Sequence, residues 1–181
     1  ENRMRGDLLQ QVLWLAAAVD PDQVKELHFS PADRHNPVFQ RMRAQMTLFR
    51  PCNAHGDALH HGSASPYLSI YTMVLREGRI LFGPENIDEG APQASPPGTV
   101  YREPPEELLR VFDSAQAQVV GPFSDEYGTF VSAFAPVLDP RTGGVLLVVG
   151  VDMQASQWRN AVARSVLPSL ACLLVLPLAF L

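Results

Sequence analysis

The apolar residues of this 181-residue chain change their spacing near Tyr67. Before that point they recur every three or four positions, which is the period of an amphipathic helix. The clearest stripe lies in the first segment and comprises Leu8, Leu9, Val12, Leu15, Ala16 and Val19. After Tyr67 the apolar residues alternate with period two, as in a strand with one buried face. The chain is therefore expected to form helices first and a sheet afterwards.

Two further helices are expected before the sheet begins. Asp20 followed by Pro21 is typical of a helix N-cap with proline at the first helical position, so residues 20–27 are predicted to form a short helix. Pro37 opens a third helical stretch. Its apolar face consists of Phe39, Met42, Met46 and Phe49.

The second half of the chain predicts a sheet of five strands. YLSIYTMVL and RILFG flank Glu77-Gly78 and read as a hairpin, and the polar segment 84–99 reads as a long loop. A helix, PPEELLRVFDSA, and three strands, AQVVGPF, TFVSAFAPVLD and VLLVVGVDM, follow. The predicted class is α+β, with a central antiparallel five-stranded sheet, a long N-terminal helix and a loop-helix crossover, in a PAS-like arrangement.

The chain ends in an uncharged run, VLPSLACLLVLPLAFL, at residues 166–181. Its sixteen residues are fewer than the roughly 20 that span a bilayer, but the run is apolar to its last position. We expect residues 164–181 to begin a transmembrane helix and residues 1–163 to form an extracytoplasmic domain. Because the first helical stripe also starts close to Glu1, a domain held between two membrane helices is the expected layout. A buried core helix is the alternative for the apolar run.

Charge disfavours a nucleic-acid partner. The net charge is −5, and no stretch concentrates lysine and arginine into the basic face that phosphate binding requires. The hydrophobic fraction of 46% and the charged fraction of 18% are those of a chain with a sizeable core.

Several segments resemble the Cache (PDC) sensor domains that precede histidine kinases and diguanylate cyclases in bacteria. The similar segments are LAAAVDPDQVKEL, SIYTMVLREGRILFGPE, PPGTVYREPPEELLRVF, DEYGTFVSAFAP and the GVD that ends the last strand. The resemblance implies a small-molecule input domain at the bacterial inner membrane, with the ligand between the sheet and the crossover and dimer contact through the N-terminal helix. The amino-acid-binding motif of one subgroup, with an arginine before a Trp-Tyr pair, is absent, so an amino-acid ligand is not implied.

Strand alternation predicts one aliphatic face and one face with polar groups. Val131, Ala133 and Ala135 share the first, which suits the long helix. The second mixes aromatic rings with a hydroxyl, a phenol and a carboxylate, as ligand pockets do. The candidate ligand-binding residues are Tyr71, Met73, Tyr101, Ser132, Phe134 and Asp152. Ordinary packing is the alternative for each of them.

Asp152 stands at the end of an otherwise apolar strand, where a carboxylate needs a partner or water. It could bind a ligand amine or hydroxyl, or it could cap the helix that begins near QASQW. Gly128 and Gly150 are expected to serve the backbone, at a turn and at a close approach.

No catalytic, cofactor or metal site is expected. The residue types of Cys52, His55, His60 and His61 suit zinc or copper, but their spacing matches no structural site. Asp125 and Glu126 are neighbours in a strand or turn and should point apart, which makes a poor acid–base pair. No nucleophile elbow, phosphate-binding glycine loop or HExxH motif is present.

Two functions remain open at this point. In the first, a small molecule binds the sheet, orders the loop 84–99 and changes how the terminal helices sit, so that a membrane helix relays the change to a kinase or cyclase. In the second, the same fold is a ligand-free dimerisation module or a docking site for a periplasmic protein. A pocket filled by the protein's own side chains would favour the second.

Overall fold

Helices occupy the first part of the molecule, as the spacing of its apolar residues predicts. The computed structural model describes residues 1–48 and 69–163. Its early helices are α1 (Asn2–Ala18), α2 (Pro21–Val24), a 3-10 helix (Pro31–His35) and α3 (Pro37–Leu48). The side chain of Asp20 accepts a hydrogen bond from the Asp22 backbone N–H and so caps α2, as expected. The helix α2 is shorter than predicted.

The strands form one antiparallel sheet. Its members are β1 (Ser69–Arg76), β2 (Arg79–Glu85), β3 (Val100–Tyr101), β4 (Gln118–Asp125), β5 (Gly128–Leu138) and β6 (Val145–Gln154). Helix α4 (Glu106–Ser114) connects β3 to β4, and helix α5 follows β6 over residues 155–163. The strand order is β3-β2-β1-β6-β5-β4, so the first and last strands of the sequence are neighbours at its centre. The α+β class is confirmed.

The prediction of five strands is wrong, because the described part of the chain contains six. The additional strand, β3, has two residues, which pair with Ile80 and Leu81 at one edge of the sheet. Two residues are too few to show alternation, and they follow a proline-rich segment that reads as a loop. The Glu77-Gly78 turn is confirmed, and both residues have the positive φ angles, +51° and +72°, that a tight hairpin turn favours.

Each side of the sheet has its own hydrophobic cluster. We call the side covered by α1 and α3 the helix face. There α1 packs against Val131, Ala133, Ala135, Leu147, Val149 and Val151 of β5 and β6. We call the other side the cavity face; α4 covers part of it with Leu108 and Val111. This division confirms the two faces that strand alternation predicts.

Within residues 1–48 and 69–163, no helix is long and apolar enough to cross a membrane. The transmembrane helix expected at residues 164–181 lies outside the described residues, and so do Phe49 and the loop that follows it.

Candidate ligand-binding cavity

A cavity of about 480 Å³ lies on the cavity face, at the end of the sheet away from α4. Its floor consists of the ends of β1, β2, β5 and β6, and its wall is the segment 86–99, which we call the cover loop. This volume is in the range of small-molecule sites. A second hollow, between α3 and the cover loop, has only about 10 Å³ and would hold little more than one water molecule.

Asp152 lies at the bottom of this cavity, where the Tyr71 hydroxyl donates a hydrogen bond to its Oδ1 at 2.7 Å. Tyr71 can lie across β6 because its register partner there is Gly150. A Cβ atom on Gly150 would be only 2.5 Å from Tyr71 Cε2, so the glycine serves a close approach, as predicted. Asp152 is not a helix cap, because β6 continues to Gln154 and α5 begins at residue 155.

The pKa of Asp152 is raised to about 7, mainly by burial and to a smaller extent by the nearby Asp125 carboxylate, while hydrogen bonding from Ser132 and Tyr71 opposes the rise. Ser132 is the register partner of Asp152 on β5. Its hydroxyl is fully buried and makes no hydrogen bond of regular geometry, so its contact with the carboxylate is looser than that of Tyr71. Asp152 is therefore held mainly by one phenol.

A second phenol–carboxylate pair lies at the other side of the cavity. The Tyr101 hydroxyl, on the edge strand β3, donates to Asp125 Oδ2 at 2.5 Å. The other oxygen of Asp125 accepts the backbone N–H groups of Tyr127 and Gly128, which fixes the β4–β5 turn. Burial raises the pKa of both Tyr71 and Tyr101 well above that of a free phenol, so both remain hydrogen-bond donors at physiological pH.

Aromatic rings connect the two pairs. The ring of Phe82 is central: its centroid lies 5.6 Å from that of Tyr71, 5.1 Å from that of Tyr101 and 5.7 Å from that of Tyr127. These distances and the mostly edge-on angles are those of favourable aromatic pairs. The apolar part of the cavity wall is thus largely aromatic.

Glu85, at the end of β2, is a third carboxylate of the cavity and, unlike the half-buried Asp125 and Asp152, is buried by accessible surface as well. Burial raises its pKa to about 7, and the Ser95 backbone N–H, which donates to Oε1 at 2.8 Å, and Arg43 oppose the shift. Arg43 of α3 also binds the carbonyl oxygens of Glu85 and Ile87 and pairs with Glu89 at 2.7 Å. Because these contacts join α3 to the start of the cover loop, they fix one end of the cavity wall.

The cover loop is held at its other end too. The Ser95 hydroxyl donates to the Tyr127 hydroxyl at 3.0 Å, and Gly98 and Thr99 exchange backbone hydrogen bonds with Phe82. A segment with no periodicity in sequence is therefore an ordered wall, tied to α3, to β2 and to the β4–β5 turn.

Three of the six predicted ligand-binding residues line the cavity: Tyr71, Tyr101 and Asp152. Met73, Ser132 and Phe134 do not line it, although they share the cavity face; all three are completely buried. Alternation assigns a side chain to a face but does not say how far along the strand the cavity extends. Whether any of the six binds a ligand remains a prediction.

Other lining residues were not predicted. The most prominent are Phe82, Glu85, Asp125, Tyr127, Gln154 and Gln157. Regular hairpin register could not have identified Glu85, because it pairs Tyr71 with Pro84; a register shift between Tyr71 and Met73 makes Glu85 the partner instead. Asp125 binds the Tyr101 hydroxyl, and the neighbouring Glu126 accepts the backbone N–H groups of Arg102 and Glu103.

No protein-family model matches this chain, and no curated protein matches it either. The resemblance to Cache sensor domains therefore depends on the sequence segments alone. The residues considered for a metal site, Cys52, His55, His60 and His61, lie outside the described residues. Residues 1–48 and 69–163 contain no group of three histidine, cysteine, aspartate or glutamate side chains that could hold a metal ion.

Proposed function

We propose that residues 1–163 are a PAS-like, extracytoplasmic sensor domain of the Cache (PDC) type, which binds a small molecule in the cavity and catalyses no reaction. The observation that carries the proposal is the cavity itself. It has the volume of a ligand site, aromatic walls and two phenol–carboxylate pairs, and the protein's own side chains leave it open. An open cavity is what a ligand-free spacer domain would not need.

A path for a signal also supports the proposal. Asp152 is three residues before α5, and Gln157 of α5 lines the cavity. The next residue, Trp158, is buried on the helix face, where the Arg5 guanidinium of α1 lies 5.7 Å from its ring centroid. A ligand that moves Gln157 would therefore move α5 against α1. The proposal includes relay of this movement through a membrane helix to a cytoplasmic kinase or cyclase.

Ligand binding is tested by thermal unfolding of the purified 181-residue chain, in nonionic detergent, against a library of amines, organic acids, alcohols and nucleobases. A compound at 100 times its dissociation constant should add about 2.7 kcal/mol to the free energy of unfolding. For a domain of this size that is a rise in Tm of about 5–10 °C. If no member of the library raises the Tm, the sensor proposal fails.

The signal path is tested by fluorescence. The chain has two tryptophans, Trp14 and Trp158, so in a Trp14→Phe variant all tryptophan emission comes from Trp158. A compound that raises the Tm should change this emission, because Trp158 lies between α5 and Arg5. In the matched Trp158→Phe variant, which retains Trp14 on the exposed side of α1, the compound should leave the emission unchanged. Unchanged emission from Trp158 would contradict the path.

A second candidate function is a ligand-free dimerisation module. The side chain of Trp14 is 65% exposed on α1, beside the partly exposed Leu13. An exposed tryptophan is unusual outside an interface. A chain that is dimeric by light scattering, that becomes monomeric in Trp14→Glu and that no compound stabilises would favour this function over sensing.

A further inference from the structure

The charged groups that line the cavity are all acidic. They are Glu85, Asp88, Asp125 and Asp152. No lysine, arginine or histidine is among the described residues that line it. The guanidinium of Arg43, which contacts the Glu85 carbonyl oxygen, is also bound to Glu89 and to the Ile87 carbonyl oxygen and does not line the cavity. The cavity is thus lined by acidic groups, and no cationic side chain from residues 1–48 or 69–163 lines it.

Several hydrogen-bonding groups of the cavity also offer acceptors to a ligand. The hydroxyls of Tyr71 and Tyr101 donate to Asp152 and Asp125, so neither proton is free for a ligand. The carboxylates retain unused lone pairs, and Gln157 Oε1 is buried without a hydrogen-bond partner. Gln93 and Gln154 also line the cavity and can donate, but the charged groups there are all acidic. A ligand with a positive charge and several donors would therefore satisfy these acceptors, whereas an anion would meet groups of like charge.

The aromatic wall is suited to the same kind of ligand. A cation close to tyrosine and phenylalanine rings is attracted by their electron-rich faces, and the attraction is larger where water is excluded. The rings of Tyr71, Phe82, Tyr101 and Tyr127 lie between the two carboxylates that hold the phenols. Acidic side chains and aromatic rings therefore line the same cavity.

We propose that the cavity binds a small organic cation, an alkylammonium with its nitrogen between Asp152 and Asp125 and its carbon atoms against the aromatic rings. This inference rests on the proposed function, since it names the class of ligand for the same cavity. An inorganic cation is a poorer fit, because about 480 Å³ bounded by rings favours a ligand with an apolar body.

Binding of such a cation should depend on pH. The groups that act on Asp152 are the Tyr71 hydroxyl on β1, Ser132 on β5 and the Asp125 carboxylate on β4. The other titratable residues that line the same cavity are Tyr101 on β3, Glu85 on β2, Asp88 in the cover loop and Tyr127 in the β4–β5 turn. Gln157, the residue of α5 that lines it, is neutral. Without a ligand, burial leaves the pKa of Asp152 near 7. A cation favours the ionised carboxylate, so its affinity should increase as the pH rises from about 5.5 to 8.

The test is calorimetric titration of the 181-residue chain with matched probes. Choline is compared with dimethylbutanol, in which carbon replaces the charged nitrogen, and diaminobutane is compared with butanediol and with succinate. We expect one cation or both to bind at least about tenfold more tightly than the neutral isostere, a difference that a buried charge readily supplies. The same cation should bind at least about tenfold more weakly at pH 5.5 than at pH 8.

The Asp152→Asn variant should lose that preference for the cation, and Asp113→Asn, which changes an exposed aspartate on α4, should retain it. The isostere and pH comparisons use the unaltered chain, so they decide the matter even if Asp152→Asn does not fold. Failure of choline and diaminobutane to bind at millimolar concentrations, or tighter binding of butanediol or succinate, would overturn the cation inference.

The two proposals fail separately. If the cations do not bind but a neutral or anionic compound raises the Tm and changes Trp158 emission, only the ligand class is wrong and the sensor function stands. If nothing in either panel binds, the sensor function fails as well.

Discussion

The helix face and the cavity face are built from alternate residues of the same strands, yet they are completed in opposite ways. On the helix face, β6 presents Val149 and Val151, which are completely buried against the helices. On the cavity face, the same strand presents Val148, Gly150 and then Asp152, whose carboxylate borders an open volume. The first face gains stability from close packing, whereas the second holds carboxylates whose burial opposes folding when they are ionised. Features that cost stability and are retained commonly mark a functional site.

The sharpest test of this difference is to place a carboxylate on the helix face. Val149→Asp buries a charge where no phenol or solvent can compensate for it, and should cost at least about 3–5 kcal/mol, much of the stability of an ordinary domain. Urea denaturation measures the loss. Val149→Ala is the control, with a cost of about 1–3 kcal/mol from the cavity it creates. Equal losses in the two variants would show that the helix face accepts charge as readily as the cavity face does.

The next test concerns the approach of Tyr71 to β6. In Gly150→Ala the new Cβ would meet the Tyr71 ring, so the ring must leave Asp152 or the strands must separate. We expect a loss of about 1–3 kcal/mol in the free energy of unfolding. In a Tyr71→Ala background the same change should cost much less, because the ring that causes the clash is gone. A full penalty in both backgrounds would mean that the close approach is not its cause.

Unlike the two preceding changes, Asp152→Asn should raise the free energy of unfolding, and the size of the gain should depend on pH. Since the pKa of Asp152 is near 7 in the folded chain and near 4 when exposed, the folded state holds a proton between those values that the unfolded state releases. Stability from this group is therefore fully present below about pH 4 and falls as the pH rises to 7. The asparagine variant keeps an acceptor for Tyr71 and avoids the charge, so it should be more stable by about 1–3 kcal/mol at pH 8 and unchanged at pH 4.

Urea titrations at the two pH values measure this effect, with the exposed Asp113→Asn as the control. A variant less stable than the parent at pH 8 would contradict the view that the buried carboxylate opposes folding. Glu85→Gln should show the same pH dependence, because its pKa is also raised to about 7.

The contrast between the faces also explains what could be predicted from the sequence. The residues of the helix face can be predicted from local periodicity. The aliphatic stripe of α1 and the alternate aliphatic residues of β5 and β6 form two apolar surfaces that bury each other when they pack together. The α+β class, the first hairpin and the membership of each face were predicted correctly for that reason. The edge strand β3 was missed because two residues carry no period.

The cavity depends on contacts between residues that are distant in sequence. Tyr101 meets Asp125 and Ser95 meets Tyr127 only after the sheet has formed and the cover loop has crossed its edge. Alternation therefore identified Tyr71 and Asp152 on the right face but also included Ser132, Met73 and Phe134, which do not line the cavity. Met73 and Phe134 belong to the packed cluster that α4 completes. The positions of α4 and the cover loop decide where along the strands the packed core ends and the cavity begins. Those positions cannot be predicted from a local sequence pattern.

The smallest expected effect belongs to the cover loop. In Ser95→Ala the backbone N–H still binds Glu85, but the hydroxyl no longer donates to Tyr127, so the loss should be about 0.5–1.5 kcal/mol. Amide hydrogen exchange should become faster in residues 86–95 and stay unchanged in the strands of the helix face, because the bond ties only the loop to the β4–β5 turn. Ser114→Ala, which removes an exposed hydrogen bond to the Arg110 carbonyl at the end of α4, is the matched control and should leave the loop amides unaffected. Equal acceleration on both faces would mean that the cover loop opens only when the whole sheet unfolds, and a loop of that kind could not admit a ligand on its own.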